Sequence, residues 1–192
     1  MKRPRALCQA LATGAVLVFL ASCDDAAPNA VEPVATVIPD RVEPFVCGSM
    51  TLQSFRDVRM GGQPGLEDLE QAKSDGTVTV INLRKPDELA DFDEAQAAEE
   101  LGLVYHGVPW RAPDEMTDAV LDELRGLLRD AERPILLHCG SGNRVGAVWI
   151  VYRVLDDGID VEAAVDEART IGLKSAALEE KARDYIARSR GG

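Results

Sequence analysis

Read for its apolar positions, the chain alternates short β-branched runs with stretches of helical period. Residues 77–83, T-V-T-V-I-N-L, are apolar and β-branched enough for a buried parallel strand. A second strand is expected over 103–110 and a third over 134–138, P-I-L-L-H. Helical stretches separate them. Leu66, Leu69 and Ala72 fall on one side of a short helix that Gly76 would stop, and residues 86–101, rich in Asp, Glu and Ala, read as a second helix. Val120, Leu121, Leu124, Leu127 and Leu128 mark a third over 114–131. Past a short polar turn the chain stays helical: 145–155 has an all-apolar face with Trp149 and Tyr152, and 161–170 and 175–188 follow. Order is expected to begin within 45–59, before a turn at Met60-Gly61-Gly62-Gln63-Pro64. Strands alternating with helices predict an α/β fold with a central, mainly parallel sheet of about four or five strands and helices on both sides.

Composition changes this picture mainly at the N-terminus. Residues 1–22 carry Lys2, Arg3 and Arg5 and then an apolar run over 11–20 that is too short to span a bilayer, the pattern of an export signal. Its end, Leu20-Ala21-Ser22-Cys23, resembles the bacterial lipobox, which implies cleavage before Cys23 and lipidation of that cysteine. Asp24 directly after it resembles a signal for retention at the inner membrane. Residues 23–44 hold Pro28, Pro33, Pro39 and Pro44 with no periodic pattern and read as a tether, leaving 45–192 as one domain. The expected location is the bacterial cell envelope, lipid-anchored in the periplasm. Loss of residues 1–22 removes three cations and no acid, taking the net charge from −12 to −15. Such a surface repels nucleic acid and other polyanions and leaves room only for a local positive pocket. After processing and acylation two free thiols remain, Cys47 and Cys139, too few for a disulfide scaffold.

The chemistry concentrates in the turn between the third strand and the helix after it, C-G-S-G-N-R. Gly140 and Gly142 can take the left-handed conformations that let backbone N–H groups converge on an anion at a helix N-terminus. A cysteine there, beside Arg144, is favoured as thiolate and is a candidate nucleophile. The His138-Cys139 pair, the glycines and Arg144 resemble the active-site loop of cysteine-dependent phosphatases. There are four residues between Cys139 and Arg144, however, where that loop normally has five, and four is the spacing of many rhodanese sulfurtransferases. Val145 stands where such phosphatases usually carry Ser or Thr.

The flanks distinguish the two. No strand is expected after residue 161 and no Gly-Gly-Trp-like ending is present, both of which a rhodanese domain would have. Gly62-Gln63-Pro64, Ile81-Asn82-Leu83-Arg84, Val108-Pro109 and the run 138–147 together resemble a bacterial phosphatase-like family related to dual-specificity phosphatases. It is the family of the phosphatase-like domain of beta-lactamase hydrolase-like proteins. The resemblance implies a cysteine-phosphatase-like fold and hydrolysis of a phosphate ester through a cysteinyl-phosphate, with no cofactor and no metal. By the same resemblance Cys139 is the nucleophile and Arg144 binds the phosphoryl oxygens with backbone N–H groups of Gly140, Ser141, Gly142, Asn143 and Val145. Asp114, with Glu115 second, is the candidate general acid. His138 and Arg84 are supporting residues: Arg84 lies at the carboxyl end of the first strand, where ligands gather, and is expected either to help hold an anion or to form a structural ion pair. A rhodanese-like sulfurtransferase and a non-catalytic anion-binding module are the alternatives.

Overall fold

The computed structural model describes residues 40–88 and 91–191. The signal segment, Cys23 and most of the tether lie outside the described residues. Six strands, β1 (Glu43–Cys47), β2 (Met50–Phe55), β3 (Val58–Gly61), β4 (Thr79–Asn82), β5 (Val104–Gly107) and β6 (Ile135–His138), form one sheet in the order β1-β2-β3-β6-β4-β5. From β3 to β5 the neighbours are parallel; β1 and β2 extend that edge as antiparallel strands. The α/β class holds, and the sheet is larger than expected by a hairpin. Gly48, at φ 58°, turns the chain between β1 and β2, the left-handed geometry a tight hairpin requires. The segment expected to be tether up to Pro44 therefore ends earlier, with Glu43 and Pro44 already paired to Ser54 and Gln53.

Side chains on successive strand residues point to opposite faces, and the helices divide accordingly. Ile81, Ile135 and Leu137 pack with the apolar faces of α3 (Asp118–Asp130), α4 (Asn143–Leu155), α5 (Val161–Ile171) and α6 (Ala176–Arg190). Val80 and Leu136 face α1 (Leu66–Ser74) and α2 (Glu94–Glu100). Each fully buried Leu or Ile of this kind contributes about 1.5–3 kcal/mol relative to exposure. α4 is buried almost all round, as a helix that is apolar on every face must be. Arg153, one of its two buried cations, is answered by Glu167 of α5 at 2.8 Å and by Asp157, and Trp149 Nε1 donates to Glu167 at 2.8 Å. The helix that begins at the candidate loop is thus fixed at its far end.

Three elements differ from the expected bounds. Within the acidic run 86–101 the helix begins at Glu94, because Asp93 accepts from Gln96 N and starts it there, while Glu88 N donates to Lys85 O in a turn over 85–88. The run 114–131 splits into a 3-10 turn at Pro113–Glu115 and α3, whose start is set by Thr117 accepting from Val120 N. In α1, Leu69 and Ala72 are buried as expected, but Leu66 is exposed. Asp68 is on the inward side instead, where its carboxylate accepts from Ser49 N and Gly65 N. Among the described residues no strand follows α4, which separates this fold from the rhodanese arrangement.

Candidate active site

Strand register brings the separate motifs to one level. His138 of β6 stands opposite Gly61 of β3 and Asn82 of β4, and Asn82 stands opposite Gly107 of β5. Because these four strands are parallel, Gly62-Gln63-Pro64, Leu83-Arg84, Val108-Pro109 and Cys139 all leave the sheet at its carboxyl end, where ligands gather in open α/β sheets. Cys139 N donates to Gly61 O at 3.3 Å, and Gly62 bridges to Ser141, so β3 braces the turn from one side. The α5–α6 linker braces it from the other: Asn143 Oδ1 accepts from Lys174 N and Ser175 N. Gly142 has φ 81°, and a Cβ there would lie 2.5 Å from Ile171 O, so both conformation and space require glycine. Gly142 is also the N-cap of α4 and has no side chain to offer the helix. The N–H groups of the first turn of α4 are consequently left for an incoming anion. Cys139 itself is 1 % exposed, so only a group that enters the turn reaches its sulfur.

Arg144 supplies the charge of the site, and three acceptors fix its pose. Nη1 donates to Leu83 O at 2.9 Å, Trp110 O at 2.5 Å and Glu88 Oε1 at 2.8 Å; Nη2 donates to Glu88 Oε2 at 2.6 Å. A guanidinium has five N–H donors in a rigid fork. Both hydrogens of Nη1 and one of Nη2 are thus engaged, which leaves Nε–H and the second Nη2 hydrogen as an adjacent pair. Nη2 lies 3.8 Å from the Cβ position of Gly140, so it borders the turn. Burial works against the charge of Arg144, but the hydrogen bonds it donates to Glu88 and the neighbouring Cys139 sulfur outweigh it and hold the guanidinium firmly protonated.

Glu88 was not legible as a site residue, since it falls in the run read as helix. Its hydrogen bonds with Arg144 take its carboxyl down to about 2 against burial, from an ordinary 4.5. A group depressed on folding stabilises the fold fully above its unfolded value and loses that effect as pH falls through the folded one. Wild type should therefore resist urea better than Glu88→Gln at pH 7, and the difference should shrink as pH falls from 4.5 towards 2. Urea midpoints of the two proteins across this range check it.

The other expected residues are placed as follows. His138 is fully buried, with Nε2 2.7 Å from Glu94 Oε1, so Glu94 holds the residue that precedes Cys139 at the end of β6. Arg84 lies beside Glu88, its Nη2 donating to Glu88 O and its Nε 3.9 Å from Glu88 Oε2. Val145 is buried in the first turn of α4. Asp114 is exposed on the 3-10 turn that follows Trp110, the residue whose carbonyl holds Arg144. Glu115 is committed elsewhere: it accepts from Lys85 Nζ at 2.5 Å and Arg111 N at 2.7 Å, and Lys85 foremost lowers its carboxyl, the wrong direction for a proton donor. Cys47 and Cys139 are both free thiols. They sit on and just beyond strands three places apart, roughly 14 Å at the usual spacing, so they cannot pair without rearranging the sheet. Burial pushes the Cys47 thiol up, as expected of an inert core cysteine.

Comparison with known proteins adds to this geometry. The family described as "Beta-lactamase hydrolase-like protein, phosphatase-like domain" matches residues 53–156. A beta-lactamase hydrolase-like protein of Agrobacterium fabrum is 26 % identical over 118 residues, covering 59 % of this chain and 27 % of that protein. The dual specificity protein phosphatase TpbA of Pseudomonas aeruginosa is 34 % identical over 116 residues, covering 59 % of this chain and 49 % of that one. The chain therefore spans about a quarter to half of the length of these relatives. The crystal structure of P. aeruginosa TpbA in complex with pTyr superposes with a TM-score of 0.60 at 23 % identity, over 79 % of this chain and 91 % of that one, a likeness of fold.

Proposed function

Since the chain belongs to the family of the phosphatase-like domain of beta-lactamase hydrolase-like proteins, we propose that it is a cysteine-dependent phosphatase acting on phosphate monoesters. The observation that carries this reading is the pair of donors left on Arg144, Nε–H and one Nη2 hydrogen, beside the uncapped N-terminus of α4 and the Cys139 sulfur. Two adjacent N–H groups match two oxygens of a phosphoryl group, and the N–H groups of the turn face the charge that spreads over its equatorial oxygens. Sγ of Cys139 attacks phosphorus in line, the bond to the leaving oxygen breaks, and a cysteinyl-phosphate forms. Water then attacks phosphorus, releasing inorganic phosphate and the thiolate. A cavity of about 640 Å³ beside Glu88, lined by Arg84, Phe92, Tyr105 and Pro109 among others, has room for the organic part of an ester. Phosphotyrosine, the group in the TpbA complex, is the first substrate to test.

Purified wild type and Cys139→Ser, assayed side by side on an aryl phosphate and on thiosulfate with cyanide, test the proposal. Cys139-dependent release of phosphate supports it; sulfur transfer to cyanide without phosphate release identifies a sulfurtransferase, and neither identifies an anion-binding module.

Asp114 is the proton donor in this reading. It is exposed and follows Trp110, whose carbonyl holds Arg144, and among the described residues the neighbouring Glu115, not Asp114, is the one bound to Lys85. An alkoxide needs that proton to leave and an aryloxide hardly does. Asp114→Asn should thus slow hydrolysis of an alkyl phosphate by roughly 100-fold or more, and of a nitrophenyl phosphate far less. Equal losses on both substrates would remove Asp114 from this role.

We further propose export and lipid anchoring through Cys23, on the strength of the basic start, the short apolar run and Leu20-Ala21-Ser22-Cys23. Cells making wild type should retain it in the membrane fraction, and Cys23→Ala should shift it to the soluble one. Identical fractionation of the two chains would contradict the anchor.

A further inference from the structure

Resting on the phosphatase reading, we propose that Gln63 is a positioning residue of the reaction, joining the support of His138 to the support of Arg144 through a single side-chain amide. Its Nε2 donates to Glu94 Oε2 at 2.5 Å, and Glu94 Oε1 meets His138 Nε2 at 2.7 Å. Its Oε1 accepts from Arg84 Nη1 at 2.5 Å, and Arg84 lies against Glu88, whose carboxylate holds Arg144. The path runs around the turn, from the residue before the nucleophile to the guanidinium that binds phosphate. Gln63 hangs from backbone that is itself tied to the turn, because Gly62 bridges to Ser141.

The amide suits this place for a definite reason. One neighbour is a carboxylate and the other a guanidinium, so the linking group must donate on one side and accept on the other. Reversed, the amide would set oxygen against oxygen at Glu94 and N–H against N–H at Arg84, so its orientation is fixed by its partners. A carboxylate here would repel Glu94, and an ammonium would repel Arg84. Asp93 and Tyr105 are the further titratable groups near Glu94. Its two direct partners, Glu94 and Arg84, are 31 and 21 residues from Gln63 in sequence, so the connection exists only in the folded chain.

Gln63→Glu tests the inference, since it keeps the shape and removes the donor. At pH 7 kcat on an aryl phosphate should fall by roughly 100-fold, the scale of an ångström of misplacement, and KM should rise as the displaced Arg144 binds phosphate less well. Activity should return in part as pH falls, because a proton shared between the introduced carboxylate and Glu94 restores a donor; wild type should show no such recovery. Combining Gln63→Glu with Glu94→Gln exchanges the two groups: the introduced amide donates to position 63 and accepts from His138 Nε2. That double variant should regain at least tenfold of the lost kcat at pH 7. A Gln63→Glu protein with wild-type kcat and pH profile overturns the inference. So does a double variant that is folded by near-ultraviolet circular dichroism yet no more active than the single one.

Protection of Cys139 from alkylation by inorganic phosphate provides a readout independent of turnover. If wild type hydrolyses no aryl phosphate, the phosphatase reading fails. Loss of protection in Gln63→Glu and its return in the double variant would still support the positioning role. Equal protection in all three proteins, or none in wild type, would refute it.

Discussion

Replacing Cys139 with serine should leave less than about a thousandth of the wild-type rate of phosphate release. The substitution exchanges one atom in a side chain that is already buried, so the turn keeps its shape. Gly61 O still receives the N–H of residue 139, and Arg144 keeps its three acceptors. What changes is the nucleophile. A thiol ionises far more readily than an alcohol and is intrinsically more nucleophilic, and the Nε2 of the adjacent His138 is engaged by Glu94 and is not bonded to residue 139. The serine protein should consequently still bind inorganic phosphate while turning over almost nothing. Phosphate release by Cys139→Ser at a tenth of the wild-type rate or more would place the chemistry on another group.

Arg144→Lys should cost roughly 100- to 1,000-fold in kcat/KM on an aryl phosphate, the range for loss of a charge-stabilising donor set. An ammonium keeps the charge but has three hydrogens, and the acceptors already around this position are Leu83 O, Trp110 O and both oxygens of Glu88. A lysine satisfying them has no pair of parallel N–H groups left for phosphate, and one satisfying the phosphate strands Glu88 among partly buried groups. Steady-state kinetics on wild type and variant decide the matter. A fall of less than about tenfold would mean that charge alone suffices and that the fork is not used.

The turn could be read from the chain because everything that defines it is local. Two glycines, a cysteine and an arginine lie between an apolar strand and an apolar helix, and register then follows from the strand. Glu88 escaped notice because an acidic, alanine-rich run has helical composition from 86 to 101, although Asp93 with Gln96 three residues on is a helix-start signal that would have moved the boundary past it. The β1–β2 hairpin is hard to read in the sequence for a related reason: each strand is short, and the clearest mark between them is one Gly-Ser pair, Gly48-Ser49. Gln63 could be placed in a turn, but nothing near it in sequence announces that its amide reaches Glu94 and Arg84. Leu66 shows the converse, an apolar residue at helical spacing that tertiary structure leaves exposed while an aspartate takes the inward position.

Rapid acid quench after mixing the protein with an aryl phosphate, followed by mass analysis of the peptide containing Cys139, tests the central claim most directly. Short quench times trap the intermediate before water reaches it. The account predicts one added phosphoryl group on Cys139, absent from Cys139→Ser. A peptide that gains one sulfur from thiosulfate, and no phosphoryl group from any aryl phosphate, would contradict it.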